Sequence, residues 1–195
     1  MRFQIAFHTP FRVATGRAGE GSDTTVDRQT PLPASSLKGV MRSAARDVLR
    51  LAPGWVDAVY GTAWQESPWS WSDATPQAGT PAQVRVRARI QIAQDTATVV
   101  DGALAIAEEF HAAGAEFTIT RSGWLEPDLV AAHEAVLVAS ARAVTAVGGV
   151  RRRGLGWVSI TPSDPPWPGD EGQVPAYVDR LLATLAALPD REVPR

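Results

Sequence analysis

Residues 84–92 read Val, Arg, Val, Arg, Ala, Arg, Ile, Gln, Ile, a strict alternation that an extended strand sorts into two faces and that a helix would mix on every side. Arg85, Arg87 and Arg89 fall on one face of that strand. A second alternation opens the chain, where Phe3, Ile5 and Phe7 interleave with Arg2, Gln4 and Ala6 until Thr9-Pro10 ends the run. Helical spacing takes over from Ser35 to Leu51, with Leu37, Val40, Met41, Ala44, Ala45, Val48 and Leu49 on one face and Pro53-Gly54 as the stop. Ala103–Phe110 and Ala115–Arg121 read as antiparallel strands joined across His111–Gly114, although propensity alone would also allow a helix over Ala103–Glu109. Glu126-Pro127 opens a helix whose stripe is Leu129, His133, Val136, Leu137, Ser140, Val144 and Val147, with Gly148-Gly149 as its cap. Leu155–Ile160 is a short strand. The order strand, helix, strands, helix, strand predicts an α+β, ferredoxin-like domain of the RRM-type split βαβ kind over residues 1–160. Long loop insertions fall at 14–33 and 61–83, and residues 161–195 form a proline-rich linker and a C-terminal helix over Val174–Leu188.

Two segments of this frame carry chemistry. Pro33-Ala34-Ser35-Ser36-Leu37-Lys38-Gly39-Val40-Met41-Arg42 is an extended stretch that turns through small hydroxyl residues into a helix carrying Lys38 and Arg42. Hydroxyls and unpaired N–H groups at such a helix start suit a phosphate. Gly148-Gly149-Val150-Arg151-Arg152-Arg153-Gly154-Leu155-Gly156 sets three guanidinium groups among four glycines, whose missing side chains let backbone approach a polyanion. Together they read as an RNA-binding pair made of Ser35, Ser36, Lys38, Arg42, Gly149, Arg151, Arg152, Arg153, Gly154 and Gly156.

Both segments, in this order, resemble those of the RAMP superfamily of CRISPR-associated proteins, and in particular the backbone subunits of type III effector complexes. In that family a "PGSSLKG"-like motif precedes a "GG-x-x-x-RG-x-G" loop. Residues 12–27, RVATGRAGEGSDTTVD, resemble the family's glycine-rich segment after the first strand; Trp69 to Ala74 resembles its strand followed by Asp-Ala; Val84 to Phe117 resembles its central strands. The resemblance implies a guide (CRISPR) RNA-binding subunit that works beside other RAMP subunits and cleaves complementary target RNA, with the ribose 2′-OH as internal nucleophile. It implies a catalytic aspartate in the long loop, where Val26-Asp27 matches the family's context and Asp23 is the second candidate. It also implies a divalent metal ion, Mg or Mn, held by Asp27. Two other family roles stay open: a non-catalytic subunit that caps or anchors the assembly, and a repeat-processing endoribonuclease for which His8 would be essential.

Composition bounds the remaining classes. A net charge of −2 is unlike a free-standing non-specific nucleic-acid binder; it suits a protein whose basic face is buried on RNA inside an assembly. One of the 19 basic residues is lysine and there is no cysteine, so disulfides and thiolate metal sites are excluded. The polar N-terminus and the lack of a long apolar run predict no membrane association and a cytoplasmic location. Among the histidines, His133 sits on an apolar helical stripe and reads as a core-edge residue. Trp64, Trp69 and Trp71 read as packing residues before base-stacking ones. Arg85, Arg87 and Arg89 would line a nucleic-acid groove or face acidic groups of a neighbour.

Overall fold

The computed structural model describes residues 1–189. The first strand, β1 (Arg2–Phe7), is central: it buries Phe3 and Ile5 and turns Arg2, Gln4 and Ala6 outward. Helix α1 (Ala34–Ser43) continues through a π-helical turn at Ala44–Val48, and α2 (Pro53–Tyr60) follows. Two short strands, β2 (Trp69–Trp71) and β3 (Thr75–Pro76), precede β4 (Ala82–Arg89), β5 (Ala105–Ala112) and β6 (Gly114–Arg121). Helix α3 (Pro127–Ala143), β7 (Val158–Asp164) and α4 (Val174–Ala186) complete the described chain. Residues 190–195 of the expected C-terminal element lie outside the described residues.

The main sheet runs β2-β6-β1-β7, with β3 also on β6; every pairing is antiparallel. Phe3 stands opposite Phe117 in the register, and their rings stack at 5.1 Å. The connection from β1 to β2 carries α1 and α2, and the connection from β6 to β7 carries α3. Leu37 and Met41 of α1, Val136 and Leu137 of α3, and Ile119 and Ile160 of the sheet belong to one core. Burial of such side chains contributes about 1.5–3 kcal/mol each.

Several boundaries differ from the sequence reading, each for a local reason. Pro53 does not only stop the preceding helix; it occupies the first turn of α2, where its missing N–H costs nothing. Helix α3 ends at Ala143, because Val144 takes extended angles and Ala146 bridges to Trp157. The pair Gly148-Gly149 therefore caps no helix. Strands β5 and β6 do not pair with each other. Only Ala113 separates them, too short for a hairpin that needs about two loop residues, and the chain crosses from one sheet into another. Strand β5 pairs with β4 as a separate ribbon, and β6 joins the main sheet.

The segment read as a long irregular loop is tied along β5. Phe11 bridges to Phe110 and Thr24 to Ala107, while Ala14 meets Val26 across the loop. The Thr15 and Thr25 hydroxyls meet at 2.7 Å. At the other end, Arg142 lies over the Trp167 ring at 4.6 Å and Trp167 meets Tyr177 edge-on at 4.9 Å, which fastens the segment before α4 to α3.

Candidate nucleic-acid interface

The start of α1 already holds an anion. Pro33 is extended (φ −73°, ψ 155°), and the Ala34 N–H donates to the Asp73 carboxylate at 2.8 Å. The Ser36 and Leu37 N–H groups donate to the Pro33 carbonyl at 3.0 and 3.2 Å. Asp73 thus fills the position that the sequence offers to a phosphate, and it complements the helix dipole. Ser35 is exposed and Ser36 half-buried. Lys38 is half-buried, with its Nζ 5.1 Å from the Trp71 ring centroid. Burial lowers its pKa, with repulsion from Arg42 second. Arg42 pairs with Asp57 of α2 at 2.9 Å. Both cations tie α1 to its neighbours, and Arg42, with 41% side-chain exposure, keeps further N–H donors on the surface.

The glycine–arginine segment is a turn clamped from inside. Gly148 (φ 72°) and Gly156 (φ 76°) have left-handed angles. A Cβ on Gly148 would overlap the Arg12 carbonyl, and one on Gly156 the Val147 carbonyl. The Gly149 N–H donates to Arg12 O and the Gly156 N–H to Pro10 O, both at 2.7 Å. These glycines answer to their own chain. Gly154 (φ 81°) differs, since nothing stands within 4 Å of its Cβ position. Buried Val147 and Leu155 anchor the turn on either side. Arg151–Arg153 form a 3-10 turn between them, all three exposed and in no ion pair among the described residues.

This turn and α1 both line one groove of about 740 Å³, which Val40 and Ser43, Arg151 and Arg152, and His8 and Trp157 share. The fold so joins the two segments that lie more than a hundred residues apart in sequence. It does not put Ser35, Ser36, Lys38, Arg42 or Arg153 on the groove wall. It adds Ser43 and Trp157 (54% exposed), and it places there His8, the residue of the repeat-processing alternative, whose Nε2 meets Ser159 Oγ at 2.7 Å.

The acidic loop stands on β5. Asp27 is exposed, and its Oδ1 accepts the Gln29 and Thr30 N–H groups at 2.8 and 3.0 Å. Those bonds, Thr30 first, hold its pKa below the usual carboxylate value. Asp23 accepts the Ile106 N–H at 2.8 Å. Each aspartate keeps one oxygen without such a bond. Among the described residues no group of three or more His, Asp or Glu is placed to hold an ion, so a divalent ion at Asp27 would take one carboxylate from this chain and its other ligands from RNA phosphate and water.

The arginines of β4 are largely answered within the chain. Glu109, 1% exposed, accepts Arg12 at 3.4 Å, Arg87 at 3.5 Å and Arg89 at 3.2 Å. Trp69 and Trp71 are buried, and Trp64 is 96% exposed. His133 is buried on α3, where its Nδ1 accepts the Trp69 Nε1–H at 3.1 Å.

An antiparallel sheet with helices on one face, and a groove at the end of its central strand lined in part by Arg151 and Arg152, defines a mixed α and β protein. The family model of the RAMP superfamily matches residues 4–159, and the chain belongs to that superfamily. Among solved structures it is similar to a chain of the type III-B Cmr-beta complex bound to cognate target RNA (TM-score 0.65, 14% identity, 82% of this chain and 95% of that chain covered). It is similar also to a chain of Cmr-beta in the apo state (TM-score 0.63, 14% identity, the same 82% and 95% covered). No curated protein matches it in sequence. No helix among the described residues is long and apolar enough to cross a membrane.

Proposed function

We propose that this chain is a guide-RNA-binding subunit of a cytoplasmic type III CRISPR ribonucleoprotein, packed against other RAMP subunits, that cleaves complementary target RNA. The observation that carries the reading is the groove between α1 and the glycine–arginine turn, whose guanidinium groups are exposed and unpaired by any carboxylate among the described residues. Unpaired guanidinium groups on an internally clamped turn have no carboxylate to give up before they meet phosphate oxygens, and the backbone that carries them is already ordered. The ferredoxin-like reading of the fold draws its support from the antiparallel order β2-β6-β1-β7 and from the helices between β1 and β2 and between β6 and β7.

In the cleavage step, the 2′-oxygen of the target forms a bond to the adjacent phosphorus as the bond from phosphorus to the 5′-oxygen breaks. The 2′ proton leaves to water, and the departing 5′-oxygen takes a proton from water. Asp27, kept ionised by its backbone bonds, is a weak base. Its free oxygen orients the 2′-OH as a hydrogen-bond acceptor, and Asp23 is the second candidate for that place. Isolation of the protein with its partners tests the assembly reading, which requires co-purifying RNA of defined length. Asp27→Ala in that complex tests the cleavage reading.

One observation favours a second reading. His8 opens on the same groove as Arg151 and Arg152 and is oriented by Ser159, as a repeat-processing endoribonuclease would require. Loss of repeat processing in His8→Ala, with Asp27→Ala silent, selects it.

A further inference from the structure

Attack by the 2′-oxygen concentrates negative charge on the non-bridging phosphate oxygens, and a loop that offered them only carboxylates would oppose the reaction. Asp27 adds a negative charge of its own, which directs attention to the side chains beside it. Arg28 follows it directly. Its Nη2 donates to Glu108 Oε1 at 2.9 Å, and the side chain is 71% exposed while that of Glu108 is 11% exposed. The other oxygen of Glu108 accepts the Val26 N–H at 3.0 Å. One carboxylate on β5 therefore grips the residue on each side of Asp27, and the Glu108 N–H donates back to Thr24 O at 2.9 Å. Asp23 is pinned one step further along the same strand, through its side chain to the Ile106 N–H and through its own N–H to Ile106 O, both at 2.8 Å.

We propose that Arg28, held by Glu108, is a cation of the cleavage site and contacts the non-bridging oxygens of the scissile phosphate. The inference rests on the reading that this loop cleaves target RNA, and it holds for either aspartate. A guanidinium has five N–H donors in a planar fork; one is engaged by Glu108, and most of the group faces solvent. The bond to Glu108 removes much of the side chain's freedom before substrate arrives, so the fork is set rather than gathered. Arg28 gives up no proton in the step described above, and its contribution is charge alone. Glu108 is a positioning residue that acts through Val26 and Arg28. The pair as a purely structural feature would be a partly exposed ion pair of little consequence for the fold.

The test is single-turnover cleavage of complementary RNA by the assembled complex, with target affinity measured alongside. Arg28→Ala is expected to slow cleavage about 100-fold, the cost of removing one preorganised donor at a developing oxyanion, while affinity changes less than about threefold, as one phosphate contact among many allows. Millimolar guanidinium ion should restore part of the Arg28→Ala rate and none of the Asp27→Ala rate; Arg28→Lys should fall between wild type and Arg28→Ala. Glu108→Gln, which keeps an acceptor for the Val26 N–H, checks the positioning role and should slow cleavage less than Arg28→Ala. A full rate in Arg28→Ala beside an inactive Asp27→Ala or Asp23→Ala overturns the inference and leaves the cleavage reading standing. A slow Arg28→Ala that guanidinium ion does not rescue also overturns it. Absence of cleavage in the wild type, or full rates in both aspartate variants, overturns the inference together with the reading beneath it.

Discussion

Gly156→Ala and Gly154→Ala separate two reasons for a glycine in the same turn. Both positions have left-handed angles, φ 76° at Gly156 and φ 81° at Gly154, and an alanine there loses about 1–2 kcal/mol. The surroundings differ. At Gly154 the new methyl meets nothing within 4 Å, so the angle is the whole cost, partly offset by the stiffer unfolded chain. At Gly156 the methyl would overlap the Val147 carbonyl, and the relief movement strains the Val147 N–H bond to Gly156 O at 2.8 Å and the Gly156 N–H bond to Pro10 O at 2.7 Å. With about 1 kcal/mol for each bond, Gly156→Ala should lose about 3–4 kcal/mol. For a chain of this size that lowers Tm by roughly 6–15 °C, while Gly154→Ala should shift it by only a few degrees. Thermal unfolding followed by circular dichroism reads the difference directly. Equal melting temperatures for the two variants would refute the close-approach argument.

Replacement of Arg151, Arg152 and Arg153 together by alanine should weaken RNA binding, leave Tm unchanged, and reduce the slope of log affinity against log salt by about 1.4, since two of the three line the groove and each lost contact to a single strand removes about 0.7; filter binding at several salt concentrations checks it. Asp27→Ala should keep guide binding and abolish target cleavage, with Asp23→Ala milder and His8→Ala nearly silent, as read on a gel of labelled target. Asp73→Ala should free the Ala34 N–H and cost about 1 kcal/mol of stability. If RNA affinity rises in that variant the helix start accepts phosphate, and an unchanged affinity assigns Asp73 a capping role only. Asp47, bound by Arg46 and Ser43, is pulled down to about 2. Its contribution is complete above the unfolded value near ~4 and is lost only as pH falls through about 2, so an NMR titration of its carboxyl should show no midpoint above pH ~3.

Local periodicity made β1, β4, α1 and α3 legible: burial on one face imposes the alternation of β1 and the helical spacing of α1, whereas β4 alternates with both faces largely exposed, and α2 was not legible. Partners far along the chain were not. Nothing near Ala34 indicates that Asp73 takes its N–H, and nothing near Arg87 indicates that Glu109 is its acceptor. Proline was read as a stop at Pro53, where it is also a start. The glycines of 148–156 were legible as needing freedom of backbone, but their partner was not: Gly148 and Gly149 meet Arg12, and Gly156 meets Pro10 and Val147. Asp27 is held locally by the Gln29 and Thr30 N–H groups, whereas Asp23 is held by Ile106 and Val26 by Glu108, both on β5 and some eighty residues away, which no local pattern indicates.

Three consecutive residues tie the arginine turn to the β4–β5 ribbon. Pro10 accepts from Gly156, Phe11 exchanges two backbone bonds with Phe110 at 3.0 and 2.8 Å, and Arg12 accepts from Gly149 while its guanidinium reaches Glu109. The arginine turn, the acidic loop and the β4–β5 ribbon are thus sewn to one short seam. In hydrogen exchange such a seam behaves as one cooperative unit: the amides of Phe11, Phe110, Gly149 and Gly156 should exchange with a common opening free energy, so the turn and the ribbon loosen together or not at all.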